Sequence, residues 1–249
     1  TVYVYDVESQ QLESSYSFSN LAKAYEKLTQ GIGVYHDGYR SLAFSSDGRW
    51  LAGGTRFGRI VCWDTQADKP VAKVCEAMGD TDEIWKLMFS PDDDALVACC
   101  PHSQKVRLWQ FQESSTATAP DFKATDIAVL PYDHTLAALV DETLRIYDLK
   151  TLQPVDPGPP QADDEDPPDR LFRPLVTSRD GYTLLCGSDQ AVRFLNPVTG
   201  VEFFRLKQSE SSTRSNYIYK MSFSAENDVL VTSGRGGSNT LSFFSKRTG

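Results

Sequence analysis

Short apolar runs alternate with turn-rich segments along most of the chain, and one arrangement of the two occurs five times. Each copy has the end of an apolar run, a turn rich in Asp, Gly, Pro or Asn, and the start of a second apolar run. This pattern predicts a β-hairpin. The copies align without gaps over eight positions and start 45, 40, 48 and 46 residues apart, at Phe44–Leu51, Phe89–Leu96, Val129–Leu136, Thr177–Leu184 and Phe223–Leu230.

A second apolar element follows each hairpin start after about twenty residues and ends in an aromatic or bulky residue and a polar one. Its copies are Ile60–Asp64, Val106–Gln110, Leu144–Asp148, Val192–Asn196 and Leu241–Ser245, with a sixth at Val2–Asp6. Alternation inside these runs predicts strands with two different faces. In the second copy, for example, we expect Val106 and Leu108 to point inward and Arg107 and Trp109 outward.

These residues resemble the WD40 repeat family, in which about 40–45 residues form one four-stranded blade. Phe44–Gly48 is one residue away from the family's FSPDG signature, and Trp63 with Asp64 forms its Trp-Asp pair. The resemblance implies an all-β fold: a WD40-type β-propeller, here a partial ring of about 5–6 four-stranded blades that is part of a seven-bladed propeller.

The resemblance also implies one domain over residues 1–249, with strands a (inner) to d (outer) in each blade. Residues 1–18 would hold strands c and d of a preceding blade, and the successive blades would span residues 40–75, 84–123, 124–155, 172–206 and 218–245.

Two stretches exceed the repeat period. Leu21, Ala24, Tyr25 and Leu28 share one helical face, which predicts a short helix that either caps a blade edge or docks a partner. Residues 153–170 carry six prolines and six acidic side chains, which predicts an extended, solvated loop. That loop either keeps its surroundings hydrated or binds a basic segment of a partner.

Charge and cysteine content narrow the classes of partner and compartment. The net charge of −9 is opposite to the basic field of nucleic-acid binders, so we expect no nucleic-acid partner and no membrane docking. The five cysteines show no metal-ligand spacing and lie in apolar runs: Cys62, Cys75, Cys99, Cys100 and Cys186. They are expected to be reduced thiols of a cytoplasmic protein, with the nucleus left open.

The sequence offers no catalytic constellation. Three histidines, His36, His102 and His134, stand in no nucleophile, metal or phosphate-loop context, so we expect neither enzymatic activity, metal nor cofactor. One alternative is a phosphoinositide-binding propeller, because Phe204 and Arg205 match the start of the Phe-Arg-Arg-Gly motif of such propellers. Leu206 and Lys207 depart from it. Another alternative is a regulatory propeller attached to an enzymatic domain outside this chain.

The favoured function is a non-catalytic scaffold for protein–protein interaction in a macromolecular complex. The resemblance implies that partners contact the loops joining strand d to a and strand b to c. Aromatic and Arg side chains dominate such contacts. The location in these loops selects ten candidate partner-binding residues: Tyr39, Arg56, Phe57, Trp85, Lys86, His102, Arg173, Tyr217, Tyr219 and Arg235.

Overall fold

In the computed structural model the described residues form β-strands and turns and contain no helix. The structure describes residues 1–16, 38–67, 72–75, 82–110, 122–131, 134–155, 172–188, 191–207, 217–224, 229–236 and 238–245. The predicted helix at residues 21–28 and most of the acidic loop at residues 153–170 lie outside these ranges.

Twenty strands follow one another among the described residues. They are β1 (Val2–Tyr5), β2 (Leu12–Tyr16), β3 (Tyr39–Phe44), β4 (Trp50–Thr55), β5 (Ile60–Asp64), β6 (Ala72–Cys75), β7 (Lys86–Phe89), β8 (Ala95–Cys100), β9 (Lys105–Gln110), β10 (Phe122–Lys123), β11 (Asp126–Leu130), β12 (Thr135–Val140), β13 (Thr143–Asp148), β14 (Phe172–Thr177), β15 (Leu184–Gly187), β16 (Ala191–Leu195), β17 (Glu202–Lys207), β18 (Tyr217–Phe223), β19 (Val229–Gly236) and β20 (Ser238–Ser245).

Consecutive strands pair into six sheets in the order of the chain. Three sheets have four strands (β3 to β6, β7 to β10 and β14 to β17), two have three (β11 to β13 and β18 to β20), and β1 pairs with β2. The strand pairs whose registers the structure describes are antiparallel, as expected for hairpin-connected strands. The all-β, blade-like fold class is therefore confirmed.

Four of the five predicted hairpins have a described register, and in each the first of the eight aligned positions pairs with the last. Phe44 pairs with Leu51, Val129 with Leu136, Thr177 with Leu184 and Phe223 with Leu230. Each of these pairs closes the strand a to strand b connection of its sheet. The hydrophobic pattern therefore fixed both the position and the register of these turns.

A serine closes several of these turns. Ser45 Oγ donates to Asp47 Oδ1 at 2.6 Å and accepts from the Trp50 N–H at 2.8 Å, so it spans the turn. Ser90 and Ser178 repeat both contacts in the second and fourth hairpins. Gly48 has φ = 71°, a conformation that glycine adopts without strain.

The chain divides into two compact units, Thr1–Leu87 and Met88–Gly249. In the first unit, Val2 of β1 packs against Leu51, Val61 and Trp63 of β4 and β5. In the second, separate clusters join β8 and β9 to β11, β12 and β13, join β11 and β12 to β14, β15 and β16, and join β15 and β16 to β18 and β19. Apolar faces of successive sheets thus bury one another.

Two expectations about individual residues are corrected. Trp109 is buried rather than pointing outward, because the sheet is covered on both faces, as the six buried residues of neighbouring Ala95–Cys100 show. Arg235 lies in strand β19 rather than in a loop. The reason is that the β19–β20 ladder continues through the Arg235–Asn239 pair to Gly236 and Ser238.

Candidate partner-binding surface

Three segments of the first unit meet at one end of the β3–β6 sheet. The Ile84 N–H donates to the Thr55 carbonyl at 3.0 Å, and the Arg56 N–H donates to the Gly38 carbonyl at 3.2 Å. Ser41 Oγ donates to the Ile84 carbonyl at 2.9 Å. The turn after β4, the start of β3 and the segment 82–85 are therefore fixed to one another by backbone groups.

Gly54 makes this close approach possible. A Cβ atom at this position would lie 2.5 Å from Ile84 Cγ2 and 2.7 Å from Ser41 Oγ, closer than Cβ atoms come to other heavy atoms in real structures. The sequence places a glycine where one backbone must pass against the side chain of another segment. The close packing that Gly54 allows positions the segment that carries residues 83 and 85.

The Glu83 carboxylate contacts two arginines and a tryptophan at this end of the sheet. Glu83 Oε1 lies 3.0 Å from Arg56 Nε and 3.7 Å from Arg40 Nη2, and Glu83 Oε2 accepts a 3.0 Å hydrogen bond from Trp85 Nε1. We call these four residues the Glu83 cluster. The Glu83 side chain is 20% exposed, whereas Arg56 is 60% exposed and Trp85 is 47% exposed. A mostly buried carboxylate therefore holds cationic and aromatic groups at the surface.

The opposite end of the same sheet carries a simpler group. Arg49 Nη2 lies 3.1 Å from Asp64 Oδ2, and the Arg49 guanidinium stands 5.3 Å from the centre of the Trp50 ring. Desolvation raises the pKa of Asp64, but hydrogen bonds from Arg49 and the Gln66 N–H outweigh it and bring the pKa below its usual value. One arginine and one aspartate thus balance each other here.

The structure brings some of the ten candidates together and separates others. Four of them lie at the Glu83 end of the first unit: exposed Arg56 and Trp85, and half-buried Phe57 and Lys86. Tyr39 lies there too, but its ring packs edge-on against buried Trp63 with centroids 5.5 Å apart, which makes it part of the core.

The other candidates belong to the second unit. His102 is exposed in the turn between β8 and β9, and Arg173 is exposed near the start of β14. Tyr217 and Tyr219 lie in β18, and Arg235 lies in β19. The structure describes the backbone of these three residues but not their side chains.

Sequence reasoning missed Arg40 and Glu83. Selection by residue type passes over acidic groups, and Arg40 sits inside a predicted strand rather than a loop. The alternation of β3 could have exposed it, because Arg40, Leu42 and Phe44 form the exposed series of that strand. Glu83 was missed because its two arginine partners, Arg40 and Arg56, lie far away in sequence.

Three further features of the described residues concern metal ions, the membrane and thiol chemistry. No group of three or more His, Cys, Asp or Glu side chains is placed there to hold a metal ion. No helix in that part of the chain is long and apolar enough to cross a membrane. Burial raises the pKa of the Cys186 thiol to about 12, which keeps that thiol protonated and unreactive as a nucleophile.

Arg205, the residue shared with the phosphoinositide motif, is engaged by Glu202. Arg205 Nε and Nη2 lie 2.7 and 3.0 Å from the two Glu202 oxygens, and Arg193 Nε also binds that carboxylate. Burial raises the pKa of Glu202, but the hydrogen bonds from Arg205 and Arg193 outweigh it and lower the pKa overall. The Arg205 guanidinium, which would bind a phosphate in the motif, is thus hydrogen-bonded to the Glu202 carboxylate of the same strand.

Comparisons with known proteins agree with this architecture. The model of the WD domain, G-beta repeat, matches residues 32–64 and 72–110. Ribosomal RNA-processing protein 9 of Saccharomyces cerevisiae (strain ATCC 204508 / S288c) is 30% identical over 91 residues, which are 36% of this chain and 15% of the yeast protein. The crystal structure of the Cps50 (Swd1) beta-propeller domain of Myceliophteria thermophila superposes with a TM-score of 0.62 at 18% identity. The superposed region covers 81% of this chain and 64% of the chain of the solved domain.

The matched repeats and the sheet architecture together indicate the class of protein that this chain resembles. Residues 32–64 and 72–110 match the WD domain, G-beta repeat, and the fold is that of a β-propeller. The chain spans about 15% of the length of the yeast relative and about 64% of the solved domain. Propellers of this class typically serve as non-catalytic scaffolds and generally bind other proteins.

Proposed function

We propose that this chain is a non-catalytic scaffold that mediates protein–protein interaction within a macromolecular complex. The supporting observation is the Glu83 cluster, in which exposed arginine and tryptophan side chains are held on a rigid sheet end beside Phe57. Such side chains bury large areas and still form hydrogen bonds, so they contribute most to binding. Their fixed geometry lowers the entropy lost when a partner binds.

The phosphoinositide alternative receives less support. Its motif depends on arginines that are available to bind phosphate groups. Here Arg205 binds both oxygens of Glu202, and Oε2 also accepts from Arg193. A phosphate would have to displace a carboxylate that two arginines hold in place. The geometry at β17 therefore favours a structural role for this ion-pair group.

The test compares two variants at opposite ends of one sheet. Arg56→Ala with Phe57→Ala removes the surface at the Glu83 end, whereas Arg49→Ala removes an arginine of similar exposure, 51% against 60%, at the other end. Each tagged protein is used for quantitative affinity purification from extracts of the source organism. We expect at least one specific partner to lose tenfold or more of its recovery with the double variant and less than twofold with Arg49→Ala. The melting curves of all three proteins serve as the folding control.

Two results would contradict the proposal. One is that no partner is recovered with the unmodified chain above the level of a tag-only control. The other is that every recovered partner is retained by the double variant. Equal losses in both variants would also count against this surface as the contact.

We also propose a cytoplasmic location. The described cysteine side chains Cys62, Cys99, Cys100 and Cys186 are buried and free of disulfides, a state that reducing compartments maintain. A fluorescent fusion in the source organism tests this. Signal confined to the secretory pathway would overturn it.

A further inference from the structure

Two turns of the second unit lie side by side at one end of the β14–β17 sheet. One joins β14 to β15 and the other joins β16 to β17, and the Leu184–Leu195 pair brings the start of β15 next to the end of β16. Tyr182 lies in the first turn, and Val198 and Val201 lie in the second. These three side chains are 75%, 60% and 47% exposed. Apolar groups therefore face solvent where turns are ordinarily polar.

The other repeats of the chain show what these turn positions hold elsewhere. In the five aligned hairpins, the position of Tyr182 is otherwise taken by charged residues and a histidine: Arg49, Asp94, His134 and Asp228. The positions of Val198 and Val201 lie two and five residues after the polar residue that ends strand c. In the preceding repeats these positions hold polar residues: Glu8 and Gln11, Gln66 and Lys69, Gln112 and Ser115, and Lys150 and Gln153. The repeat itself therefore gives no structural reason for apolar side chains at this end of the β14–β17 sheet.

Hydrogen bonds fix the backbone of both turns. The Tyr182 N–H donates to Asp180 Oδ1 at 3.1 Å in the first turn. In the second, the Val198 and Thr199 N–H groups donate to Asn196 Oδ1 at 2.9 and 3.1 Å. The exposed side chains are thus held in place by the turns themselves, which lowers the entropy that a ligand loses by ordering them.

A β-bulge adds a phenylalanine at the same end of the sheet. Glu202 pairs with Leu195 and Phe204 pairs with Phe194, so Phe203 is the extra residue of β17. Its side chain is 58% exposed. A bulge redirects a side chain and interrupts regular pairing at a sheet edge, so this part of β17 is a poor template for an added strand. We call the four exposed apolar residues at this end the Tyr182 patch: Tyr182, Val198, Val201 and Phe203.

The charged side chains of the same segments are engaged within the chain. Asp180 is used by its own turn, and Arg179 is likewise not free. Glu202 binds both Arg193 and Arg205. An ionic ligand would have to compete with these contacts, whereas apolar atoms can pack against the Tyr182 patch without breaking a hydrogen bond. The patch therefore favours an uncharged apolar ligand.

We propose that the Tyr182 patch binds an uncharged apolar segment of a partner protein. This inference rests on the proposed scaffold function, to which it adds a second contact surface, and it uses no residue of the Glu83 cluster. A protein segment is favoured over a membrane, because docking on lipid combines apolar side chains with a basic field and the net charge of this chain is −9.

The experiment uses two fluorescein-labelled peptides without charged side chains. One has three leucines among serines and glutamines, and the other has alanine in place of each leucine. Fluorescence anisotropy gives the Kd of each with the full chain at 50 mM and 300 mM NaCl. We expect the Leu peptide to bind at least fivefold more tightly than the Ala peptide, and this preference to persist at the higher salt concentration, because it does not depend on charge.

Variants locate the binding. Tyr182→His with Val198→Lys introduces the residues that the β11–β13 sheet has at the equivalent positions and keeps the side chains that hold the turns. We expect it to weaken binding of the Leu peptide at least fivefold. His134→Ala with Lys150→Ala changes the equivalent positions of the β11–β13 sheet and should alter the Kd less than twofold. The melting curves of both variants serve as the folding control, and the comparison of the two peptides on the unmodified chain does not depend on them.

Equal Kd values for the two peptides, or equal effects of the two double variants, would overturn the proposal. Two other results would also overturn it, if Tyr182→His with Val198→Lys abolishes them. Flotation of the chain with phosphatidylcholine vesicles would identify a lipid surface, and a dimer in sedimentation velocity would identify a second copy of the chain as the occupant.

Failure here is distinguishable from failure of the scaffold proposal. If the two peptides bind equally but a cellular partner still depends on Arg56 and Phe57, the scaffold function holds and only the second surface is wrong. If the Leu peptide binds at the Tyr182 patch but no cellular partner is recovered, the scaffold proposal alone fails.

Discussion

Ser90 shows how one side chain can hold a hairpin turn. It is buried, its hydroxyl donates to Asp92 Oδ1 at 2.6 Å, and the same oxygen accepts the Ala95 N–H at 2.9 Å. The Asp93 N–H donates to the Ser90 carbonyl at 3.0 Å, which closes the turn from the backbone side. Loss of the hydroxyl would leave a buried N–H without its acceptor, which costs more than an average hydrogen bond contributes.

We therefore expect Ser90→Ala to lower the free energy of unfolding by about 1–2 kcal/mol. Urea denaturation followed by tryptophan fluorescence measures this. Ser222→Ala is the matched control, because Ser222 is exposed and its hydroxyl reaches only the Phe223 carbonyl at 3.4 Å; its effect should stay within about 0.5 kcal/mol. Equal effects of the two substitutions would show that the turn network adds no stability.

Asp126 connects two sheets of the second unit. It is buried in β11, where its Oδ1 accepts the Ile127 N–H at 2.8 Å and its Oδ2 accepts the Leu175 N–H of β14 at 2.7 Å. Thr177 Oγ1 adds a 3.3 Å hydrogen bond to the Val129 carbonyl between the same strands. Polar groups therefore fix the position of β14 along β11, which the surrounding apolar contacts alone would specify less sharply.

Asp126→Ala is expected to destabilise the second unit by about 1–3 kcal/mol, because the variant loses the buried hydrogen bonds that the Asp126 carboxylate accepts from the Ile127 and Leu175 N–H groups. Amide hydrogen exchange, read at Leu175, should accelerate more than exchange at Leu139 in the centre of the β11–β13 sheet. Asp126→Asn keeps the shape and one carbonyl oxygen, so its effect should be smaller. Unchanged exchange at Leu175 in the alanine variant would refute the role assigned to Asp126.

Elements that depend on local patterns could be predicted from the sequence, and those that depend on distant contacts could not. The hairpins at Phe44–Leu51 and Thr177–Leu184 follow from alternation and turn residues only a few positions apart. The Asp126–Leu175 bond spans 49 positions, and Ser41 meets Ile84 across 43. No periodic pattern encodes such pairs, which is why Asp126 and the Glu83 cluster emerge only from the folded chain.

At the scale of the whole molecule, ionised carboxylates recur in the turns of both units. A hydrogen bond from Ser45, aided by the Arg49 N–H, lowers the pKa of Asp47, and a hydrogen bond from Thr151 lowers that of Asp148. Burial raises the pKa of Asp92, but the hydrogen bonds from Ser90 and from the Asp94 and Asp92 N–H groups, with the charge of His134, together outweigh it. The folded chain thus favours the charged form of these groups more than the unfolded chain does.

This preference predicts how folding stability depends on pH. Because the folded pKa values are lowered, the unfolded chain takes up protons first as the pH falls, so the stabilising contribution is present above the ordinary aspartate value of about 4 and is lost below it. We expect the free energy of unfolding to stay nearly constant from pH 7 to about 5 and to fall steeply below about 4. Urea denaturation at half-unit pH intervals measures the curve.

The variant Asp47→Asn with Asp148→Asn provides the control, because asparagine keeps an oxygen acceptor but does not titrate. It should be less stable than the unmodified chain at pH 7, where the lost ionic hydrogen bonds count, and should show a shallower decline between pH 5 and pH 3. The two curves should therefore converge on the acid side, since protonation removes from the unmodified chain what the substitutions have already removed. Parallel curves, or stability that rises towards pH 3, would place the acid sensitivity of this protein elsewhere than in its turns.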